Sequence, residues 1–162
     1  MDRRELLGVL GATAAGLAAV SGTVAYGQEK KEGQKKGQQG HEAMAEKTGK
    51  TCSDCANDCN KGFHHCHGKL AEGKTEYAAS AHVCVDCAAV CAASAELCGR
   101  VSPLMGHLCS ACAESCDACI AECEKLKDSE MKEVIEACRE TAKACRDMAK
   151  MMGSKTGGPK AN

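Results

Sequence analysis

Large apolar side chains are scarce in this sequence. Its 162 residues include no Trp, one Phe and two Tyr, although aromatic groups usually contribute much of the area that a protein core buries. Between positions 52 and 152, Leu, Ile and Val together are outnumbered by Cys. An ordinary aliphatic and aromatic core is therefore excluded, and thiols must form most of the interior.

The sequence also lacks an excess of charge of either sign. Lys and Arg total 21 and Asp and Glu total 22, which gives a formal net charge of -1. Because nucleic acids and anionic membrane surfaces attract basic proteins, we expect neither as a main partner. The length suits one domain with tails.

Residues 1–27 have the pattern of a signal peptide. Arg3 and Arg4 precede Leu6 and Leu7, and a weakly apolar run rich in Gly and Ala follows. Adjacent arginines before such a run indicate twin-arginine export, so we expect a periplasmic or other extracytoplasmic location. The run is too weakly apolar for a convincing anchor, so no stable membrane span is expected in the mature chain.

Composition divides the rest of the chain into three parts. Residues 28–50 are mostly Lys, Gln, Gly and Glu, which bury too little apolar surface to order themselves and so predict a flexible polar linker. A cysteine-rich domain is predicted over 51–152 and a flexible tail over 153–162.

The fifteen cysteines fall into four groups with related spacing. The pattern C-x2-C-x3-C-x6-C occurs twice, the third group fills every step of three and four, and the fourth has two cysteines seven apart. Such steps describe one face of a helix, and the third group spans an arc of roughly 80° over about 21 Å. The groups are Cys52, Cys55, Cys59 and Cys66; Cys84, Cys87, Cys91 and Cys98; Cys109, Cys112, Cys116, Cys119 and Cys123; and Cys138 and Cys145.

Short breaks separate the four groups. Gly68 and Gly73 follow the first, Ser102 and Pro103 follow the second, and Asp128 is a suitable N-cap before the fourth. Short connections make neighbouring helices antiparallel. Each helix has its cysteines on one face, and all four faces can be buried only if they point to the centre of the bundle. The sequence therefore predicts an all-α, antiparallel up-down-up-down four-helix bundle with a cysteine-lined core.

Other residue types complete the stripes. By position, the fourth stripe also contains Met131, Val134, Thr141, Met148 and Met152, and Met105 extends the third backwards. At one end of such a bundle, Met105, His107 and Met148 form a candidate metal-binding port with ligands weaker than thiolates. His64, His65, His67 and His82 share the opposite end, where the sequence leaves both metal binding and a solvated turn open.

Three kinds of cysteine core can be compared. A core in which the thiols serve only to fill space would pack less well than one of Leu and Ile, and in an exported protein its thiols would be exposed to oxidation. Interhelical disulfides are feasible, but an odd cysteine count cannot pair fully and bridges within a helix are strained. Zinc favours a closed tetrahedral site, whereas long stripes of thiolate suit several Cu(I) ions. Cu(I) storage is favoured, with a disulfide-linked structural or thiol-redox protein and a zinc-binding bundle as alternatives.

All fifteen cysteines are accordingly candidate metal ligands. Two-coordinate Cu(I) can be held by a pair one turn apart on one helix, and without sharing the thiols would hold about seven such ions. No base–nucleophile pair or open metal site stands out, so no enzymatic activity is expected. The candidate pairs are Cys55/Cys59, Cys87/Cys91, Cys112/Cys116 and Cys119/Cys123.

Several motifs closely resemble the bacterial copper storage proteins, a four-helix-bundle copper-binding family. They are the C-x2-C-A-x2-C runs that begin at Cys84 and Cys109, the Ser-Pro-Leu-Met link at 102–105 and the segment Cys-Ile-Ala-Glu-Cys-Glu-Lys at 119–125. The resemblance implies core thiolates that store many Cu(I) ions, twin-arginine export in some members and often a tetramer. Delivery to a recipient cuproenzyme or copper chaperone would use the same site. Met131, Val134 and Thr141 stand where the family commonly has cysteine, which implies a lower capacity.

Overall fold

The structure, a computed structural model, describes residues 32–153, with side chains from residue 40 onward. Within these residues there are four long helices and no strand. Short 3-10 turns occur at Thr75–Tyr77, Glu124–Leu126 and Ser129–Met131. The predicted signal peptide over 1–27 and the tail beyond Gly153 lie outside the described residues. The helices are α1 (Glu32–Ala71), α2 (Ala78–Gly99), α3 (Met105–Cys123) and α4 (Lys132–Met151).

The helices follow one another around the bundle in chain order. α1 packs against α2 and α4, and α3 packs against the same two helices, as expected when short connections join antiparallel neighbours. Left-handed residues turn the chain between helices: Gly73 (φ 84°), Val101 (φ 49°) and Lys127 (φ 52°). The predicted all-α antiparallel four-helix bundle is confirmed.

Thiols line the core of this bundle. Every cysteine is at most 1% exposed. As the fourth stripe predicts, Met131 in the turn before α4 and Val134 and Thr141 on α4 are buried too. Among the described residues, the other buried apolar side chains are Ala, Met and Tyr77, and Val134 is the one branched aliphatic. The atoms that fill the interior are therefore largely the atoms of soft metal ligands.

The first helix differs from the linker that composition predicted over 28–50. α1 begins at Glu32, and its buried stripe runs through Ala45 and Thr48 before it reaches Cys52. Gly49 lies against α2, since a Cβ there would be 3.1 Å from Cys98 Cβ. Small side chains allow this contact with little apolar surface, which is why the mean composition gave no sign of it.

The segment Thr75–Gly99, which contains α2, is long and apolar enough to cross a membrane by length and composition. Its apolar character comes from Cys, Ala and Val. The cysteine face of α2 is buried in the bundle, where the helix packs against α1 and α3. Burial of the cysteine face accounts for the cysteines of this helix.

Candidate metal centre

Most of the cysteine sulfurs contact cysteine sulfurs of neighbouring helices. The shortest, both 3.5 Å, are Cys52–Cys145 between α1 and α4 and Cys91–Cys112 between α2 and α3. A disulfide needs a sulfur–sulfur distance of about 2.05 Å, and all fifteen cysteines are free thiols in this structure. In this structure the closest sulfurs are therefore in contact but not covalently bonded.

Four groups of thiols have sulfur atoms within 4.8 Å of one another. Each group draws on at least two helices, and the two four-thiol groups share Cys55 and Cys87. Ions in the two four-thiol groups would thus have ligands in common. The groups are Cys55, Cys87, Cys91 and Cys116; Cys55, Cys59, Cys87 and Cys138; Cys52, Cys112 and Cys145; and Cys84, Cys119 and Cys123.

The pairs predicted along single helices are part of this network. The sulfurs are 3.9 Å apart in Cys55–Cys59, Cys87–Cys91 and Cys119–Cys123. The fourth pair is linked through a residue of α2, because Cys91 lies 3.5 Å from Cys112 and 3.9 Å from Cys116. Helix-to-helix contacts are as close as those within a helix, so the thiols form shared groups and not separate pairs.

Hydrogen bonds between thiols give neighbouring sulfurs opposite tendencies to ionise. Contacts with Cys145 and Cys98 lower the pKa of Cys109 to about 4, while the contact with Cys109 raises the pKa of Cys98. The contact with Cys119 likewise raises the pKa of Cys123 to about 12. Without cations, neighbouring thiolates repel one another in a buried site, so loading with metal is what would let them coexist.

Methionines lie at one end of the thiol core, called here the methionine end and defined by Met105, His107 and Met148. Met105 and Met148 are buried, and His107 is exposed at the start of α3. The nearby Cys98 and Cys109 have their sulfurs 3.8 Å apart. The structure thus places two of the three predicted port residues in the core and the third at its surface.

The histidines of the opposite end do not join the thiol groups. His65 contacts Asp128 at 2.8 Å, and His82 contacts Asp86 at 3.3 Å. Among the described residues, the metal-type groups contain cysteine alone. His65 and His82 thus each have a carboxylate partner.

A polar cluster that the sequence did not reveal joins three chain segments at that end. We call it the Asp128 network, formed by His65, Tyr77 and Asp128. Asp128 Oδ2 accepts hydrogen bonds from His65 Nε2 and Tyr77 Oη, both at 2.8 Å, and Oδ1 accepts one from the Glu130 amide at 3.0 Å. The His65 contact lowers the pKa of Asp128 to about 2, and the Asp128 contact raises the pKa of Tyr77 to about 12.

Comparison with known proteins identifies the family. Residues 41–150 match the family described as Csp, copper storage protein, a span that includes all fifteen cysteines and the whole thiol core. No curated protein and no solved structure matches the chain. The match extends over more than half of the sequence, and the chain belongs to the copper storage protein family.

Proposed function

We propose that this protein stores several Cu(I) ions in its thiol core, outside the cytoplasm. Family membership supports copper as the cargo. The observation that carries the multi-ion proposal is the sharing of Cys55 and Cys87 by two four-thiol groups. Thiolates prefer soft ions such as Cu(I), and shared thiolates allow one ion to lie beside the next.

Zinc is the second candidate for the bound metal, and the sulfur–sulfur distances in one thiol group favour it. With zinc–sulfur bonds of about 2.3 Å, the sulfurs of a tetrahedral site lie about 3.8 Å apart. Cys138 lies 3.8 Å from Cys55 and 3.7 Å from Cys59, which fits such a site. The continuity of the thiols beyond this group favours Cu(I), because a closed zinc site gains nothing from further ligands on either side.

The methionine end supports a route for ions into the core. Met105 and Met148 are buried at the margin of the thiols, and thioethers bind Cu(I) without a negative charge and hence more weakly than thiolates. An ion held there could pass to Cys98 and Cys109, whose sulfurs are 3.8 Å apart. The twin-arginine signal expected at 1–27 would carry the chain to the compartment where this copper is stored.

Titration under anaerobic conditions tests the proposal. Fully reduced protein would be titrated with Cu(I) in the presence of a chromogenic Cu(I) chelator, with thiols counted in parallel. We expect the protein to withhold several ions per chain from the chelator before any colour appears. Binding of one ion or none would overturn storage. In a second titration of the zinc-loaded protein, Cu(I) should release the zinc; retention of zinc against Cu(I) would favour the zinc candidate.

A further inference from the structure

Cys66 differs from every other cysteine of the core in its sulfur partner. The others each contact a second cysteine. Cys66 Sγ instead lies 3.8 Å from Met131 Sδ. Both side chains are fully buried, Cys66 on α1 and Met131 in the 3-10 turn that leads into α4.

Met131 also borders the last of the thiol groups. A Cβ built on Gly62 would lie 3.4 Å from both Met131 Cε and Cys84 Sγ. Cys84 belongs to the group with Cys119 and Cys123. The methyl group of Met131 and the sulfur of Cys84 thus both lie beside Gly62, which places the thioether near the thiol group that contains Cys84.

We propose that Cys66 and Met131 together bind one further soft monovalent cation, as a thiolate–thioether pair at the end of the core opposite the methionine end. This inference rests on the proposed storage of Cu(I). On binding, the Cys66 thiol loses its proton to solvent and forms the metal–sulfur bond, while the neutral Met131 sulfur donates a lone pair. The pair supplies one negative charge where two thiolates supply two, so its ion is held more weakly.

Charge around the pair supports a cation at this place. The carboxylate of Asp128 lies close enough to Cys66 to interact with it electrostatically. The same carboxylate favours positive charge close by, and it is fixed by the hydrogen bonds of the Asp128 network. A leucine at position 131 would fill the same space but would offer no lone pair.

Methyl NMR of the metal-loaded protein provides a direct test. The reduced full chain would carry 13C in its methionine methyl groups and be titrated anaerobically with Ag(I), a soft monovalent probe that does not oxidise thiols. We expect the Met131 methyl signal, assigned through its contacts with Val134, to shift late in the titration, after most ions have bound. The Met131→Leu variant should bind one ion fewer per chain, with an unchanged helical circular dichroism spectrum.

The Met131→Cys variant is the matched control, since it replaces the thioether with a thiolate. It should retain the ion lost from Met131→Leu and hold it at a chelator concentration that removes it from the wild-type protein. A Met131 methyl signal that does not move at saturation would overturn this site while leaving multi-ion storage intact. A chain that binds no ions would overturn both. If Met131→Leu does not fold, the wild-type methyl signal alone decides.

Discussion

Gly62 on α1 is in direct contact with Val134 on α4, because a Cβ at position 62 would lie only 2.7 Å from Val134 Cγ2. Glycine inside a helix costs about 1 kcal/mol relative to alanine, so this position gives up helix stability in return for a close approach of the two helices. One turn away on α1, Cys59 Sγ reaches Cys138 Sγ on α4 at 3.7 Å. The absent side chain thus helps to bring thiols of different helices together.

Replacing this glycine should destabilise the bundle. Gly62→Ala forces Val134 or α4 to move, and we expect a loss of about 1–3 kcal/mol in the free energy of unfolding. Urea denaturation of the reduced, metal-free protein under anaerobic conditions measures it. Gly68→Ala is the control, since that position is open and the change should stabilise α1 by about 0.5–1 kcal/mol. Equal effects of the two substitutions would contradict the contact.

The Asp128 network should make stability depend on pH in acid. The pKa of Asp128 is lowered to about 2, first by the His65 contact, from an ordinary value of about 3.9. A carboxyl with a lowered folded-state pKa contributes stability above the unfolded value and loses it as pH falls. We expect the wild-type protein to lose this contribution between about pH 4 and pH 2, and Asp128→Asn to remove this part of the pH dependence.

Tyr77→Phe serves as the control for that experiment. It removes the phenol hydrogen bond to Asp128 but keeps the carboxylate and its His65 contact, so the acid dependence should remain. Its own cost should be about 1 kcal/mol at neutral pH. Thermal unfolding followed by circular dichroism at a series of pH values separates the two variants. Identical pH profiles for wild type and Asp128→Asn would show that this carboxyl does not set the acid dependence.

Individual thiols should contribute unequally to copper capacity. Cys87 belongs to both four-thiol groups, whereas Cys98 contacts Cys109 at 3.8 Å and belongs to none of the groups. Cys87→Ser should therefore lower the number of tightly held Cu(I) ions more than Cys98→Ser, while both variants keep their helices. Chelator-competition titration measures the capacities. A larger loss for Cys98→Ser would contradict the shared-group interpretation.

Export should depend on the paired arginines. Arg3→Lys combined with Arg4→Lys keeps the charge but removes the twin-arginine pattern, and we expect the protein to stay in the cytoplasm. Cell fractionation followed by immunoblotting measures its location. Replacement of Lys30 and Lys31 by Arg, beyond the expected signal at 1–27, is the control and should leave export unchanged. Export of the double lysine variant at the wild-type level would argue for another route.

The helical cysteine stripes could be predicted because their signal repeats along the sequence. Even in the fourth stripe, where cysteine is sparse, the period correctly placed Met131, Val134 and Thr141 in the core. The start of α1 could not be predicted in this way, since Ala45, Thr48 and Gly49 occur within a strongly polar composition. Their burial depends on the neighbouring helices, not on their own hydrophobicity.

Contacts between positions far apart in the chain also could not be predicted from the sequence. Asp128 was predicted as a cap, and it does accept a hydrogen bond from the Glu130 amide. Its other partners, His65 and Tyr77, are 63 and 51 residues away in the chain. No local pattern indicates these contacts, because they arise only when two interhelical connections meet at the same end of the bundle.

A core built from thiols affects how long the protein resists unfolding and degradation. If the core stores Cu(I) as proposed, the side chains that exclude water are also the metal ligands, so metal binding and stabilisation of the fold are the same event. Each tightly bound ion favours the folded chain over the unfolded one by mass action. Metal-loaded molecules should therefore resist heat and proteolysis for longer than metal-free ones. Proteases that degrade this protein would then remove the metal-free molecules first.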